Sequence, residues 1–178
     1  MKKSSFNLLA GALFLCATAF SFSSCDNDDK NDTPLVGSYT GKMINSDVKD
    51  TINVSASATN TVITTNKFPM KAIVASVAEQ SKVDSIVKAI GNVTYEIKYT
   101  GTTDAKNTSV SLLLVPDTYK GTIGSKKLEV TFKADQKGTY TISTKKLEFE
   151  FEASAVSFDG KPITTFKGLT YKAELTKK

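Results

Sequence analysis

Residues 146–152 read KLEFEFE, and this strict alternation of large apolar and acidic side chains decides the fold class. Successive side chains of a β-strand point to opposite faces of a sheet, so a period of two predicts a strand with one face buried and one in water. The same period recurs in residues 93–100 (VTYEIKYT), 128–134 (LEVTFKA) and 169–175 (LTYKAEL). The chain therefore reads as a mainly β protein.

Turn-forming residues separate these alternating segments. We expect residues 135–138, DQKG, to turn the chain so that the strands on either side form a hairpin. Residues 110–115, VSLLLV, are a nearly continuous apolar run, which predicts a strand covered on both faces or lying near helices. Strands joined by short turns predict an antiparallel meander, which forms either a barrel or a two-sheet sandwich.

The segment between Pro69 and Gly91 breaks the period of two. Its apolar residues recur at intervals of three and four, as in an amphipathic helix, with proline able to start the helix and glycine able to end it. We expect one helical insert at about 69–90, as two short helices or one bent helix. Its apolar stripe would either plug an open end of a barrel or cover a cavity as a lid: Ile73, Val77, Val83, Ile86, Val87 and Ile90.

Residues 1–24 have the organisation of a cleaved signal peptide. Two basic residues near the start precede the apolar run 8–22, which is shorter than the roughly 20 residues that cross a membrane. The following tetrad, FSSC at 22–25, resembles the lipobox of bacterial lipoproteins. This resemblance implies cleavage before Cys25, diacylglycerol on its sulfur and an acylated amine, so that Cys25 anchors the protein to a membrane.

A polar tether follows the anchor. Residues 25–34, CDNDDKNDTP, have no apolar side chain after Cys25 and cannot bury surface. An acidic stretch at this place resembles the surface-export signal of Bacteroidota lipoproteins, which implies an outer-membrane protein exposed at the cell surface. We expect residues 35–178 to form a single β-rich domain.

The composition of this domain excludes much of catalytic and metal-binding chemistry. The chain has no His, Arg or Trp, and its two cysteines are Cys16, in the signal peptide, and Cys25. Zinc therefore loses its usual ligands and a serine nucleophile its commonest base. Lysine offers phosphate only a point charge, and no basic cluster contains interleaved aromatic residues. We expect no catalytic residues, no metal, no cofactor and no nucleic-acid partner.

Three acidic residues, Glu148, Glu150 and Glu152, share one face of the strand that opened this section. Like charges at this spacing repel, so we expect positive charge beside them. A divalent cation is one source, and lysine on a neighbouring strand is the interpretation we favour, because opposite charges across strands stabilise a solvent face. The candidates are Lys126, Lys127, Lys133 and Lys172.

Aromatic residues on the apolar faces of the predicted strands have two interpretations. They either line a ligand cavity or form the core, and the core is favoured because a domain of this size must bury its large apolar side chains. The tyrosines in question are Tyr95, Tyr99, Tyr140 and Tyr171.

Two tripeptides, DTI at 50–52 and DSI at 84–86, resemble the acceptor pattern of Bacteroidota protein O-glycosylation. The resemblance implies glycans on Thr51 and Ser85.

Two short strings carry a family resemblance. Residues 35–43, LVGSYTGKM, and residues 68–72, FPMKA, resemble a group of uncharacterised lipoproteins of gut Bacteroidota with a domain of unknown function. The Gly-x-Tyr-x-Gly pattern at 37–41 is also similar to the opening strand of lipocalin-like lipoproteins, which implies a barrel-like calyx. Neither resemblance brings a catalytic residue.

These observations lead to two hypotheses of function. The first is a surface-anchored lipoprotein with a non-catalytic domain that binds a small apolar ligand, a glycan or a partner protein. The alternative is a structural accessory subunit that docks on an outer-membrane complex and has no small-molecule site. An open calyx of several hundred Å³ would favour the first, and a filled barrel would favour docking.

The substitution Cys25→Ala tests the anchor. We expect it to abolish labelling with fatty-acid analogues, because the acylated sulfur is lost, and to leave soluble or unprocessed protein. Labelling is followed by gel fluorescence of cells fed an alkyne fatty acid. A mutant that still takes up the label would contradict the lipobox interpretation.

Overall fold

One antiparallel sheet organises the domain. The computed structural model describes residues 33–133 and 136–178, which fall within the compact unit Asp32–Lys178. The strands are β1 (Gly37–Asn45), β2 (Asp50–Ala58), β3 (Val62–Thr65), β4 (Tyr95–Thr103), β5 (Ser109–Pro116), β6 (Tyr119–Ile123), β7 (Lys126–Phe132), β8 (Gln136–Thr141), β9 (Lys146–Phe158), β10 (Lys161–Pro162) and β11 (Leu169–Lys177); the helices are α1 (Lys71–Ala75) and α2 (Val83–Ile90), with a 3₁₀ turn at Gln80–Lys82.

Eight of the described strands close into a barrel. Their order is β11-β1-β2-β3-β4-β5-β8-β9, and the additional pairing of β9 with β11 closes the ring. Each of these pairs is antiparallel. The prediction of a mainly β antiparallel meander is confirmed, and of the two architectures left open it is the barrel that forms.

The long strand β9 pairs with two strands in succession along one edge. Gly138 of β8 lies opposite Phe149, and Phe132 of β7 lies opposite Ala153, so β7 and β8 run in the same direction. The hairpin expected at residues 135–138 is therefore wrong. A Cβ on Gly138 would lie 2.7 Å from the Cβ of Phe149, so this glycine serves close strand packing and not a turn.

Strand β5 differs from its prediction in another way. Leu112 and Leu114 point into the barrel, whereas Leu113 and Val115 are each 42% exposed on the outer wall. Among the described residues no strand or helix covers this wall, so coverage on both faces, the first of the two alternatives for this run, is wrong. An apolar run records which side chains can be buried, and the neighbours that would bury the second face are set by tertiary structure.

Aromatic rings fill the barrel interior. The ring centroid of Phe151 lies between 5.6 and 6.1 Å from those of Phe68, Tyr95, Phe132 and Tyr171. Phe68 comes directly before the helical insert, and it brings the start of this insert into the core. Offset and edge-on contacts of this kind add to the burial of the rings, so the interior is a packed core.

The helical insert between β3 and β4 divides into a buried and a half-buried part. Ile73 and Val74 of α1 are fully buried, and Val83 at the start of α2 is almost so. Farther along α2, Ile86 and Ile90 are only half-buried. The predicted insert is confirmed as two short helices, of which the first is the more deeply buried, and the plug and the lid both stay predictions. None of the described helices is both long and apolar enough to span a membrane.

Denaturant melts of Ile73→Ala and Ile86→Ala compare the stability that the buried and the half-buried part of the insert each contribute. Ile73→Ala should lower the free energy of unfolding by about 2–5 kcal/mol, because it removes fully buried methyl groups and leaves a cavity. Ile86→Ala should cost about 1 kcal/mol, because its side chain keeps much of its contact with water. Equal losses at the two positions would contradict the division.

Candidate binding clefts beside α2

Two clefts flank helix α2. The first, of about 530 Å³, lies between α2 and strand β6, and we call it the β6 cleft. The second, of about 470 Å³, lies between α2 and strand β2, and we call it the β2 cleft. The β6 cleft has one wall formed by Ile86, Ala89, Ile90, Asn92 and Val93 and another formed by Tyr119 and residues 121–124.

Local sequence explains the wall formed by β6. Gly124 has a φ of 61°, which suits the two-residue turn joining β6 to β7, where Ile123 lies opposite Lys126. A Cβ on Gly121 would lie 2.3 Å from the hydroxyl of Tyr119, so the glycine makes room for that side chain. Burial raises the pKa of Tyr119 above its usual range, so its hydroxyl stays protonated and can donate a hydrogen bond.

The β6 cleft is neutral, with apolar and hydrogen-bonding side chains together. Ile86, Ile90 and Ile123 provide half-buried aliphatic surface, and Asn92 and Thr122 provide amide and hydroxyl groups. Of the described residues that line it, none is charged. Such a surface suits a ligand that combines apolar side chains with peptide-like polar groups.

The β2 cleft is more charged. It includes Asp50, Lys67 and Lys71 beside Phe68 and other apolar residues. The Nζ of Lys71 lies 2.9 Å from a carboxylate oxygen of Asp84 on α2, and this contact raises the pKa of Lys71. Both side chains are largely exposed, so the ion pair contributes little to stability.

The four predicted cavity tyrosines are all buried inside the barrel. The hydroxyl of Tyr95 donates to the carbonyl of Asp117 at 2.6 Å, and that of Tyr99 donates to the carbonyl of Thr59 at 2.5 Å. Neither tyrosine lines the β6 cleft or the β2 cleft. Burial raises the pKa of both, so they are neutral hydrogen-bond donors at physiological pH.

The other two members of the set are Tyr140 and Tyr171. Tyr140 packs edge-on against Tyr39, with ring centroids 6.2 Å apart. The hydroxyl of Tyr171 and the amide nitrogen of Asn45, which lies opposite it across β1 and β11, are both buried, and within the described residues neither makes a hydrogen bond of ordinary geometry. Tyr140 and Tyr171 also lie outside the two clefts, so all four tyrosines belong to the buried core, and a role for them in binding a ligand stays a prediction.

The acidic face of β9 has lysine beside part of it, since Glu148 lies opposite Glu174 and, of the three glutamates, only Glu152 forms an ion pair with a lysine within the described residues. Lys133 forms a 2.7 Å ion pair with Glu152, and Lys172 lies opposite Glu150 in the register of β11 with β9. Lys172 makes its own ion pair with Glu174 of the same strand, at 2.7 Å. Within residues 33–133 and 136–178, no cluster of three or more acidic side chains has the arrangement of a metal site.

The two predicted glycosylation residues are both accessible. Thr51 is exposed on β2, and Ser85 is exposed on α2, where its hydroxyl donates to the carbonyl of Lys82 at 2.8 Å. Their modification stays a prediction. Cys25 and the tether up to Asp32 lie outside the described residues.

The protein is thus a closed antiparallel barrel with a helical insert and two external clefts beside α2. The chain belongs to the family described as a domain of unknown function, DUF4840, which matches residues 35–158. The matched range contains β1 to β9 and both helices. No curated protein and no solved structure matches the chain.

Sequence reasoning missed strand β6 and therefore the β6 cleft. The signal was present in residues 119–125, YKGTIGS, where larger and smaller residues alternate before a Gly-Ser turn. Its two glycines lower its strand propensity. The strand is held by its pairing with β7, which local sequence does not reveal.

Two tyrosine-to-phenylalanine substitutions test the buried hydroxyls. Tyr171→Phe should change the free energy of unfolding by under about 0.5 kcal/mol or increase it, since it removes a buried polar group that has no partner. Tyr95→Phe should cost about 1 kcal/mol, since the carbonyl of Asp117 loses its donor. Urea melts give both values, and a larger loss for Tyr171→Phe would show that its hydroxyl is bonded.

Proposed function

We propose that this protein is a lipid-anchored, non-catalytic binding domain that docks on a partner protein through the β6 cleft. The observation that carries the proposal is the contrast between the filled barrel and the half-covered helix α2. The ring cluster around Phe151 occupies the place where a calyx would hold a small apolar ligand. Apolar surface that the domain could have buried instead lines an external cleft.

The sequence that precedes the domain supports the proposed attachment of the protein to the outer membrane. The signal peptide at 1–24, Cys25 and the acidic tether are the features of a lipoprotein exported to the outer membrane and displayed at the cell surface. An anchored domain meets its partners in the plane of the membrane, where the effective concentration is high. A modest cleft is then sufficient for association.

Within the binding hypothesis, a partner protein is supported better than a glycan or a small apolar ligand. The β6 cleft has a single aromatic lining residue, Tyr119, and the chain has no Trp, so a stacking platform for sugars is weak. The cleft is open along one side and joins a helix to a strand edge, a form that suits a peptide segment. A structural accessory subunit would use the same docking surface.

Site-specific cross-linking in intact cells tests the proposal. A photo-cross-linking residue replaces Ala89, an exposed residue in the wall of the β6 cleft, in the full-length lipidated protein. The matched control carries the same residue in place of Lys106, an exposed residue between β4 and β5. We expect a discrete protein adduct, identified by mass spectrometry, from position 89 and a yield at least tenfold lower from position 106.

Two results would contradict docking at this cleft. Equal adducts from both positions would indicate contact without a defined site. No adduct from position 89, in cells where the variant is processed and folded, would remove the support for a protein partner.

A further inference from the structure

The outer edge of strand β6 is open. On one side β6 pairs with β7, and among the described residues no strand pairs with its other side. The carbonyl of Lys127 accepts a hydrogen bond from the amide of Asp159 at 2.7 Å, so the backbone polar groups of Lys127 face β9. In an antiparallel pair, the main-chain groups of two opposite residues either face each other or both face away. Those of Lys127 face away from β6, so those of Thr122, which lies opposite, face the open side.

Lys120, two residues before Thr122, repeats this orientation because strands have a period of two. The edge therefore presents two N–H groups and two carbonyl groups about 6.6 Å apart along the strand. Both residues are exposed, and no hydrogen bond to their backbone groups across this edge occurs within the described chain. An unpaired edge of this kind is a template for another extended chain.

The surroundings of the edge select what can pair with it. Tyr119 and Ile123, on the inner face of β6, pack against the core beside Ile86 and Ile90 of α2. A strand added to the edge would alternate its side chains between the β6 cleft and the solvent face. Apolar side chains suit the cleft, and the cleft of about 530 Å³ has room for them.

Charge on the solvent face of the β6–β7 hairpin favours a particular charge on the added strand. Within the β6–β7 hairpin, Lys120 and Lys127 are exposed there with one carboxylate, Glu129, and Asp159 follows β9 beside Lys127. The Nζ of Lys120 lies 3.6 Å from Glu129 with both side chains largely exposed, so the lysine is weakly paired. An acidic side chain on an added strand would lie beside Lys120, where opposite charges on neighbouring strands are stabilising.

We propose that the partner protein adds an extended, acidic segment to the open edge of β6 as a further strand, with alternate apolar side chains in the β6 cleft. The proposal rests on the proposed function and specifies how the partner binds. A second copy of this chain fits less well, since two β6 edges would bring together two hairpin faces that are both net positive. The backbone of Thr122 and the side chain of Lys120 are the groups that recognise the segment.

Substitutions in the cross-linking protein separate strand addition from simple contact. Thr122→Pro removes the N–H that faces the open edge, and proline is tolerated there because this N–H makes no bond to β7. It should lower the yield of the position-89 adduct at least tenfold. Thr122→Ala changes the same side chain but keeps the N–H, and it should lower the yield by no more than threefold. Lys120→Glu should lower it at least fivefold, and Lys120→Arg less than twofold.

The outcomes distinguish the two levels of the proposal. Equal yields from Thr122→Pro and Thr122→Ala would overturn strand addition and leave docking at the cleft in place. An adduct that consists of two copies of this chain would overturn the acidic partner. Absence of an adduct from the parent protein would overturn the proposed function as well.

A hydrogen-exchange measurement covers the case in which Thr122→Pro does not fold. In the free protein the amides of Lys120 and Thr122 should exchange at least tenfold faster than those of Gly121 and Ile123, which face β7. In the purified position-89 adduct the Thr122 amide should be protected at least tenfold relative to the free protein. An unchanged rate in the adduct would overturn strand addition without recourse to the proline variant.

Discussion

The pairing of β9 with β11 is the constraint on which the rest of the structure depends. It closes the barrel, and it places Phe151 of β9 opposite Tyr171 of β11 at the centre of the ring cluster. Closure removes the edges that an open eight-stranded sheet would expose. It also limits the width of the interior, because a barrel of eight strands is only wide enough for its own side chains to fill.

A filled interior has consequences for the helical insert. Once Phe68 occupies the core, the residues that follow it are held at the barrel, and Ile73 and Val74 are buried. The second helix has only one almost fully buried residue, Val83, and the rest of its apolar face borders the clefts. The same packing that stabilises the barrel therefore leaves a half-covered helix beside a strand with an open edge, and this pair of features forms the candidate site.

Strand β9 connects the barrel to the β6–β7 hairpin. Its first residues pair with β8 inside the barrel, and its last residues pair with β7, which in turn holds β6. A register shift between Thr131 and Phe132 accompanies the passage between the two. One continuous strand thus links the packed core to the hairpin that carries the open edge, so backbone hydrogen bonds fix the edge relative to the barrel.

The sequence by itself determined the class of fold, the helical insert, and the presence of lysine beside part of the acidic face of β9, because these depend on periodicity and on charge spacing along one chain. The tertiary structure alone decided between barrel and sandwich, since closure depends on β9 meeting β11. It also decided that residues 136–141 continue along β9 where a turn was expected, that the outer wall of β5 has no described cover, and that β6 is an edge strand. A local pattern records which side chains can be buried, whereas the partner of each edge and face is chosen by the whole chain.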